Sequence, residues 1–131
     1  MLIDIDFQSE EAIYVQLMNQ IIMAIACQKL KEGDSLPPVR QLAAEVGINM
    51  HTVNKAYSLL RTQGIVTIDR RRGAVIAVDD DYVPELERMK EALRPILARA
   101  SCHGISAEKV HALVDEVMSE WRQETEQAGE E

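Results

Sequence analysis

Three consecutive arginines, Arg70, Arg71 and Arg72, lie between two short segments rich in β-branched residues and are followed by Gly73. Guanidinium groups are planar, permanently charged donors that match the oxygens of a phosphate group. A basic run on a surface turn is also a common solvated feature. The arginines therefore suggest a phosphate contact only if the surrounding elements place them beside one.

A polar helical face precedes the arginines. In residues 49–64 the apolar positions recur three and four apart, which predicts an amphipathic helix with one buried face. Asn49 is typical of a helix N-cap. The opposite face consists of His51, Asn54, Lys55, Ser58 and Arg61. Asn54 and His51 can pair with base edges, Lys55 can neutralise phosphate, and Thr52 can contact a phosphate or a thymine methyl group.

Two further helices are predicted upstream, over residues 10–30 and 39–46. Pro37 and Pro38 prevent helix before the second of them, and Gly47 ends it. Two helices joined by a short turn, the second with a polar outer face, form a helix-turn-helix. The alternating segments around the arginines predict a β-hairpin that follows it as a wing. The expected fold is mainly α with a small β-hairpin, and residues 10–78 form a winged helix-turn-helix DNA-binding domain.

Residues 79–131 change pattern and predict two amphipathic helices, the first starting at Pro84 and the second capped by Ser106. Their apolar stripes cannot remain in water, because burial gains about 25 cal/mol per Å². The stripes could fold onto their own winged helix, but we favour a two-helix hairpin that pairs with a second chain as a homodimer. The predicted dimerisation residues are Leu86, Met89, Leu93, Leu97, Val110, Leu113, Val114, Val117 and Trp121.

The charge of the chain is unevenly distributed. The net charge is −8 at pH 7, yet residues 1–78 hold eight basic and eight acidic groups, and residues 79–131 hold six basic and fourteen acidic groups. Residues 35–78 contain six basic groups and two acidic groups. The acidic total therefore does not argue against a nucleic-acid partner, because it belongs to a different region.

Other classes of function find little support. A chain of 131 residues is too short for a large enzyme fold, and it holds no catalytic triad order, phosphate-binding glycine loop or paired catalytic carboxylates. Cys27 and Cys102 are too few for a disulfide framework and are expected to be buried thiols. The spacing of Cys102, His103 and His111 matches no closed zinc pattern, so we expect no metal and no cofactor. Neither a signal segment nor a membrane span is evident, which predicts a cytoplasmic protein.

Residues 10–78 resemble the winged-helix domain of the GntR superfamily of bacterial transcription regulators. The segments that carry the resemblance are AIYVQLMNQI, GDSLPPVRQLAAEVGIN, TVNKAYSLLRTQGIV and RRRGAVI. Because only two helices follow, the chain is most similar to the YtrA-like subfamily, in which a short helical region dimerises. The resemblance implies control of its own operon, often one encoding a transporter.

The resemblance also implies roles for individual residues. Arg40 matches an arginine that contacts DNA, Thr52 matches a threonine of the reading helix, and Arg72 and Gly73 match the wing tip. Arg40 could instead form a surface ion pair with Glu45 or with the acids of the first helix. The full set of predicted DNA-binding residues is Arg40, Asn49, His51, Thr52, Asn54, Lys55, Tyr57, Arg70, Arg71, Arg72 and Gly73.

The sequence thus predicts a transcription regulator, most simply a repressor, that binds a palindromic operator as a homodimer. The first alternative is a winged-helix adaptor that binds proteins and not DNA; its third helix would have an apolar or acidic outer face, whereas this one is polar and basic. The second is a sensor of a metal or small ligand, for which only His103 and His111 are available between the C-terminal helices. The sequence does not identify a small-molecule effector.

Overall fold

The computed structural model describes residues 3–130, with side-chain environments for residues 3–122. The chain forms two compact units, one ending at Asp79 and the other beginning at Asp80. The described elements are α1 (Ile13–Ala26), α2 (Val39–Val46), α3 (Met50–Thr62), β1 (Val66–Asp69), β2 (Gly73–Ile76), α4 (Val83–Cys102) and α5 (Ala107–Glu130). The predicted fold class, mainly α with one small hairpin, is confirmed.

The helix-turn-helix consists of α2 and α3. Gly47 adopts a left-handed conformation with φ 78° at the end of α2, which a glycine adopts without steric cost. The side-chain oxygen of Asn49 accepts a 2.7 Å hydrogen bond from the backbone N–H of His51, so it caps α3 as predicted. These two signals fix where the chain leaves one helix and enters the next.

The first helix is shorter than the predicted span of residues 10–30. It ends at Ala26 because the N–H groups of Lys29 and Leu30 both bond the carbonyl of Ala24, which turns the chain away from the helix axis. Gln28 has a positive φ of 62° in this turn. A non-glycine residue in that conformation is uncommon, so the sequence carries no clear stop signal there.

One hydrophobic core joins the three N-terminal helices to the hairpin. α3 packs against α1, α2 and β1. The largest fully buried side chains are Leu17, Ile21, Leu42, Leu60, Ile76, Val53, Val66 and Cys27. The apolar face of α3 is buried in this core, so the opposite, polar face of the helix remains in solvent.

The hairpin is antiparallel, with Val66 opposite Ile76 and Asp69 opposite Gly73. Its loop therefore consists of the three arginines alone. The segment before α2 extends the sheet: Ser35 forms a bridge with Val75, and the N–H of Leu36 bonds the carbonyl of Ala74 at 2.8 Å. This third segment was not predicted, and it fixes the wing to the entrance of the helix-turn-helix.

Residues 3–12 also belong to the first unit. Ile5 is buried in the core cluster. Gln16 bonds both the N–H and the carbonyl of Asp6, and Gln20 does the same for Asp4. An extended N-terminal arm is thus attached along α1.

In the second unit, Gly104 turns the chain with φ 72° and the hydroxyl of Ser106 accepts a bond from the N–H of Lys109 at the start of α5. No residue of α4 is buried, and neither is any α5 residue up to Arg122. Cys102 is exposed at the end of α4, so the expectation of two buried thiols is wrong for this cysteine. None of the helices in residues 3–130 combines the length and the apolar character that a membrane span needs.

Candidate nucleic-acid interface

The outer face of α3 is the first part of the candidate interface. His51, Asn54, Lys55, Ser58 and Arg61 are all exposed, whereas Val53, Ala56 and Leu60 on the opposite face are buried. Thr52 is half-buried at the edge between the two faces. The helix therefore presents amide, imidazole and cationic groups to the outside while its apolar side holds it on the core.

The wing tip is the second part, and its single acid has a structural role. A side-chain oxygen of Asp69 accepts hydrogen bonds from the N–H groups of Arg71 at 2.8 Å and Arg72 at 3.0 Å. These backbone donors, with a smaller contribution from the charge of Arg72, hold the pKa of the Asp69 carboxyl below its ordinary value. Asp69 thus closes the loop that displays the arginines.

The three arginines differ in their surroundings. The guanidinium of Arg72 donates to the carbonyl oxygen of Gly33, in the turn before the third sheet segment. In the part of the chain that the structure describes, the exposed side chains of Arg70 and Arg71 make no hydrogen bond or ion pair. Arg72 therefore anchors the tip to the domain, while Arg70 and Arg71 remain available to a partner.

A cleft of about 450 Å³ separates α3 from the wing. Among the predicted DNA-binding residues it brings together Asn54, Tyr57, Arg71, Arg72 and Gly73. It does not bring in Arg40, Asn49, His51, Thr52, Lys55 or Arg70. Two further polar residues of α3, Ser58 and Arg61, also line it. They were recognised as part of the polar face but were not predicted to bind DNA.

Tyr57 is a buried residue at the base of this cleft, only 5% exposed. Its hydroxyl donates a 2.8 Å hydrogen bond to the carbonyl oxygen of Pro37. Burial, aided by the negative charge of Glu45, raises its pKa far above the ordinary value, so the hydroxyl stays protonated. Its role within the chain is to join α3 to the segment that enters α2.

Lys55 faces the first helix. Its ammonium lies 4.0 Å from the centroid of the Tyr14 ring, a distance typical of a cation–π interaction. The sequence indicated only a phosphate contact for this lysine. The periodicity of a single helix cannot reveal a contact between side chains on α1 and α3.

Two predicted residues lie at the helix-turn-helix itself. Arg40 is exposed in the first turn of α2 and forms no ion pair with any described residue. Glu45 accepts a 3.0 Å bond from Gln41. Among the described residues, Arg40 therefore pairs neither with Glu45 nor with an acid near the first helix. The side-chain oxygen of Asn49 is used by the cap of α3, which leaves its amide nitrogen as its outward polar group.

The described residues contain no group of three His, Cys, Asp or Glu side chains arranged to hold a metal ion. The arrangement offers exposed donors and positive charge around a concave surface. Such a surface can bind a polyanion through hydrogen bonds and charge. It contains neither an activated nucleophile nor an acid–base pair for catalysis.

Comparison with known proteins agrees with this geometry. Residues 13–76 match the model of the gntR family of bacterial regulatory proteins. The HTH-type transcriptional repressor YtrA of Bacillus subtilis is 34% identical over 124 residues, covering 91% of this chain and 94% of that protein.

Two solved structures extend the match. A transcriptional antiterminator from Listeria monocytogenes has a TM-score of 0.80 at 26% identity, covering 92% of each chain. YtrA from Sulfolobus acidocaldarius, a GntR-family transcription factor, has a TM-score of 0.64 at 38% identity, covering 78% of this chain and 99% of that one. These are regulators and not enzymes. The chain therefore belongs to the GntR family of bacterial regulatory proteins, in its YtrA-like branch.

Proposed function

We propose that this chain is a transcription repressor that binds a palindromic operator as a homodimer and controls its own operon. The observation that carries the proposal is the shared cleft of α3 and the wing, in which the polar face of a reading helix and an arginine tip line one concave surface. A protein-interaction adaptor has no need for that combination. The Bacillus subtilis relative is itself named a repressor.

In this proposal α3 enters the major groove of the operator. A B-DNA major groove admits one α-helix, provided that its outer side chains are polar and unobstructed. His51 and Asn54 would read base edges, and Thr52 would contact backbone or a thymine methyl. Arg40, at the start of α2, would contact DNA beside them.

The wing would lie along the flanking backbone. Arg70 and Arg71 carry two positive charges on a loop that Asp69 closes and Arg72 anchors. Because these bonds hold the backbone of the loop, less backbone freedom is lost when the guanidinium groups bind phosphate or a narrow minor groove. Gly73, with φ 73°, returns the chain into β2.

Dimerisation would use the predicted C-terminal region, residues 79–131, which holds α4 and α5. Leu86, Met89, Leu93 and Leu97 lie on one face of α4 and are between 38% and 51% exposed. On α5, Leu113 and Val114 are about half exposed, and Val110, Val117 and Trp121 are half-buried. Apolar side chains with this much exposure are unfavourable in water, and a second copy would cover them by forming a four-helix arrangement. Two-fold symmetry would then match a palindromic site.

The test is fluorescence anisotropy with DNA from upstream of the coding sequence and with a scrambled duplex, at two salt concentrations. We expect tighter binding to the upstream DNA, two chains per duplex, and a loss of affinity as salt rises. Arg40→Ala should cost about 1–3 kcal/mol and reduce sequence preference, while Arg71→Ala should weaken binding to both duplexes and flatten the salt dependence.

Arg99→Gln is the matched control, because it removes one exposed positive charge from the face of α4 opposite the apolar stripe. It should bind DNA like the wild type. Wild-type protein that binds neither duplex at low salt would refute the proposal. A monomer in sedimentation analysis would refute the dimer.

A further inference from the structure

The cleft between α3 and the wing has a cationic rim. Arg61 reaches it from the last turn of α3, and Arg71 reaches it from the tip of the hairpin. Among the described residues that line it, none is acidic. Two guanidinium groups from different elements therefore face one cavity with no carboxylate there to neutralise them.

The remaining walls of the cleft have a different chemistry. Pro37 and Pro38 form one apolar side, and Ile68 of β1, 54% exposed, forms another. Ser58 contributes a hydroxyl from α3. An apolar wall beside a positive rim suits a ligand with an uncharged ring and an anionic group, such as a deoxyribose with its phosphate.

We propose that the cleft receives the sugar–phosphate backbone of the operator, with Arg61 and Arg71 bonding phosphate oxygens from opposite sides. This inference rests on the proposed function and adds Arg61 and Ser58 to the DNA-binding residues. The sugar lies against Pro38 and Ile68. Arg72 is anchored to Gly33 by one of its guanidinium nitrogens, so we assign the two phosphate contacts to Arg61 and Arg71.

The location of the cleft favours duplex backbone over a small anion. Asn54 belongs both to the lining of the cleft and to the exposed reading face of α3. When the bases of a DNA strand contact that face in the major groove, the sugar–phosphate backbone of the strand lies at the edge of the groove, next to the helix. Arg61 follows Asn54 by seven residues, two helical turns along the same face, so it is placed to contact that backbone.

The position of Arg61 also lets it set how deeply α3 enters the groove. It belongs to the same rigid helix as the base-reading residues, whereas Arg71 belongs to the wing. A backbone held between them fixes the depth of α3 in the groove relative to the wing. Phosphate contacts of this kind set the register of a protein on DNA without reading sequence.

The first experiment compares wild type, Arg61→Gln and Arg61→Lys by anisotropy on the operator and on a scrambled duplex over a range of salt. Arg61→Gln should bind both duplexes about tenfold more weakly and lose about one unit from the slope of log affinity against log salt. Arg61→Lys should recover the slope. Ser58→Glu should weaken binding further than Arg61→Gln, because it brings a negative charge into the cleft. Circular dichroism melting verifies that each variant folds, and Arg99→Gln controls for the loss of one charge.

The second experiment replaces single operator phosphates by uncharged methylphosphonates. At one position the replacement should weaken wild-type binding but leave Arg61→Gln binding unchanged, because both changes remove the same interaction. Additive losses at every position would overturn the assignment. Saturable binding of inorganic phosphate near Arg61 and Arg71 below millimolar concentration, followed by NMR, would assign the cleft to a small anion and would also overturn it.

The outcomes separate this inference from the function on which it rests. Wild-type protein that fails to bind any duplex overturns both. Wild-type binding with an unaltered affinity and salt slope in Arg61→Gln overturns this inference alone. A loss confined to the operator would make Arg61 a base-reading residue and would equally contradict a backbone contact.

Discussion

The hydroxyl of Tyr57 donates a 2.8 Å hydrogen bond to the carbonyl oxygen of Pro37, twenty residues earlier in the chain. The bond joins the middle of α3 to the segment that enters α2. Pro38, the N-cap of α2, has no side chain that can cap the helix, so the entrance to α2 is held from outside by Tyr57. Because α2 carries Arg40, this contact fixes Arg40 relative to the reading helix.

Tyr57→Phe removes that bond and keeps the ring in the core. We expect the free energy of unfolding to fall by about 1 kcal/mol, because the half-buried carbonyl of Pro37 loses its partner. Operator affinity should fall less than in Arg40→Ala, since Arg40 is still present but less firmly held. Urea denaturation and anisotropy measure the two effects. Tyr14→Phe is the control, because the Tyr14 hydroxyl makes no hydrogen bond to a described residue. Equal stability of both variants would contradict a role for the Pro37 bond.

Much of this arrangement follows from sequence, since its signals are local. Gly47 and Asn49 mark the turn between α2 and α3, and the apolar period of α3 assigns its outer face. The contacts of Tyr57 with Pro37 and of Arg72 with Gly33 join residues 20 and 39 positions apart. Such contacts depend on how elements pack, and no periodicity within one element reveals them.

The N-terminal arm was missed for a related reason. Residues 3–6 are too short to show a reliable strand pattern, and their partners are two glutamine side chains of a helix and not a neighbouring strand. Glutamines in an amphipathic helix are usually solvated. Only the folded chain reveals that Gln16 is 8% exposed and bonds the arm.

The stacking of Lys55 on Tyr14 leads to a second prediction. Lys55→Met and Tyr14→Leu should each remove the cation–π interaction, and the double variant should lose about 0.5 kcal/mol less unfolding free energy than the sum of the single losses. Thermal or urea unfolding of the four proteins measures this coupling. Strict additivity would show that the pair contributes nothing to folding.

Lys55 can contact a DNA phosphate as well as the Tyr14 ring of α1. The salt dependence of DNA affinity distinguishes the two roles. If Lys55 contacts phosphate, Lys55→Met should flatten the salt slope by about one, while Tyr14→Leu should leave the slope unchanged. If the ammonium acts only on Tyr14, both variants should keep the wild-type slope.

The lowered pKa of Asp69 predicts how the wing responds to acid. Because the folded pKa lies below the unfolded value, near 3.9 for aspartate, the carboxylate stabilises the loop fully above that value. This stabilisation is lost as the pH falls through the lower folded pKa. NMR titration of the side-chain carboxyl should give a midpoint below that of an ordinary aspartate, and the amide signals of Arg71 and Arg72 should shift with the same midpoint.

Asp69→Ala tests the same loop at neutral pH. It removes the acceptor for two backbone N–H groups, so the arginine loop should become mobile and bind DNA more weakly at low salt. Asp69→Asn keeps an oxygen acceptor and should lose less affinity. Stronger DNA binding by Asp69→Ala would mean that repulsion by the Asp69 charge outweighs its effect on the loop.

The N-terminal arm supplies the last prediction, which concerns the fit between two kinds of backbone. Gln16 and Gln20 are four residues apart on α1, a rise of about 6 Å. Asp4 and Asp6 are two residues apart in an extended segment, about 6.6 Å. The spacings agree, so each glutamine amide can accept from the N–H and donate to the carbonyl of one arm residue.

Because Gln16 is buried and also donates to the carbonyl of Glu11 at 2.9 Å, Gln16→Ala should lower the free energy of unfolding by about 1–3 kcal/mol. Gln16→Glu should cost more, since it directs a negative charge at two carbonyl oxygens. Gln20→Ala is the comparison, because Gln20 is less buried and water can replace its bonds. Hydrogen exchange should accelerate at the amide of Asp6 in Gln16→Ala and at the amide of Asp4 in Gln20→Ala. If the amides of Asp6 and Asp4 exchanged in these variants at the wild-type rate, the packing of Ile5 alone would hold the arm on α1.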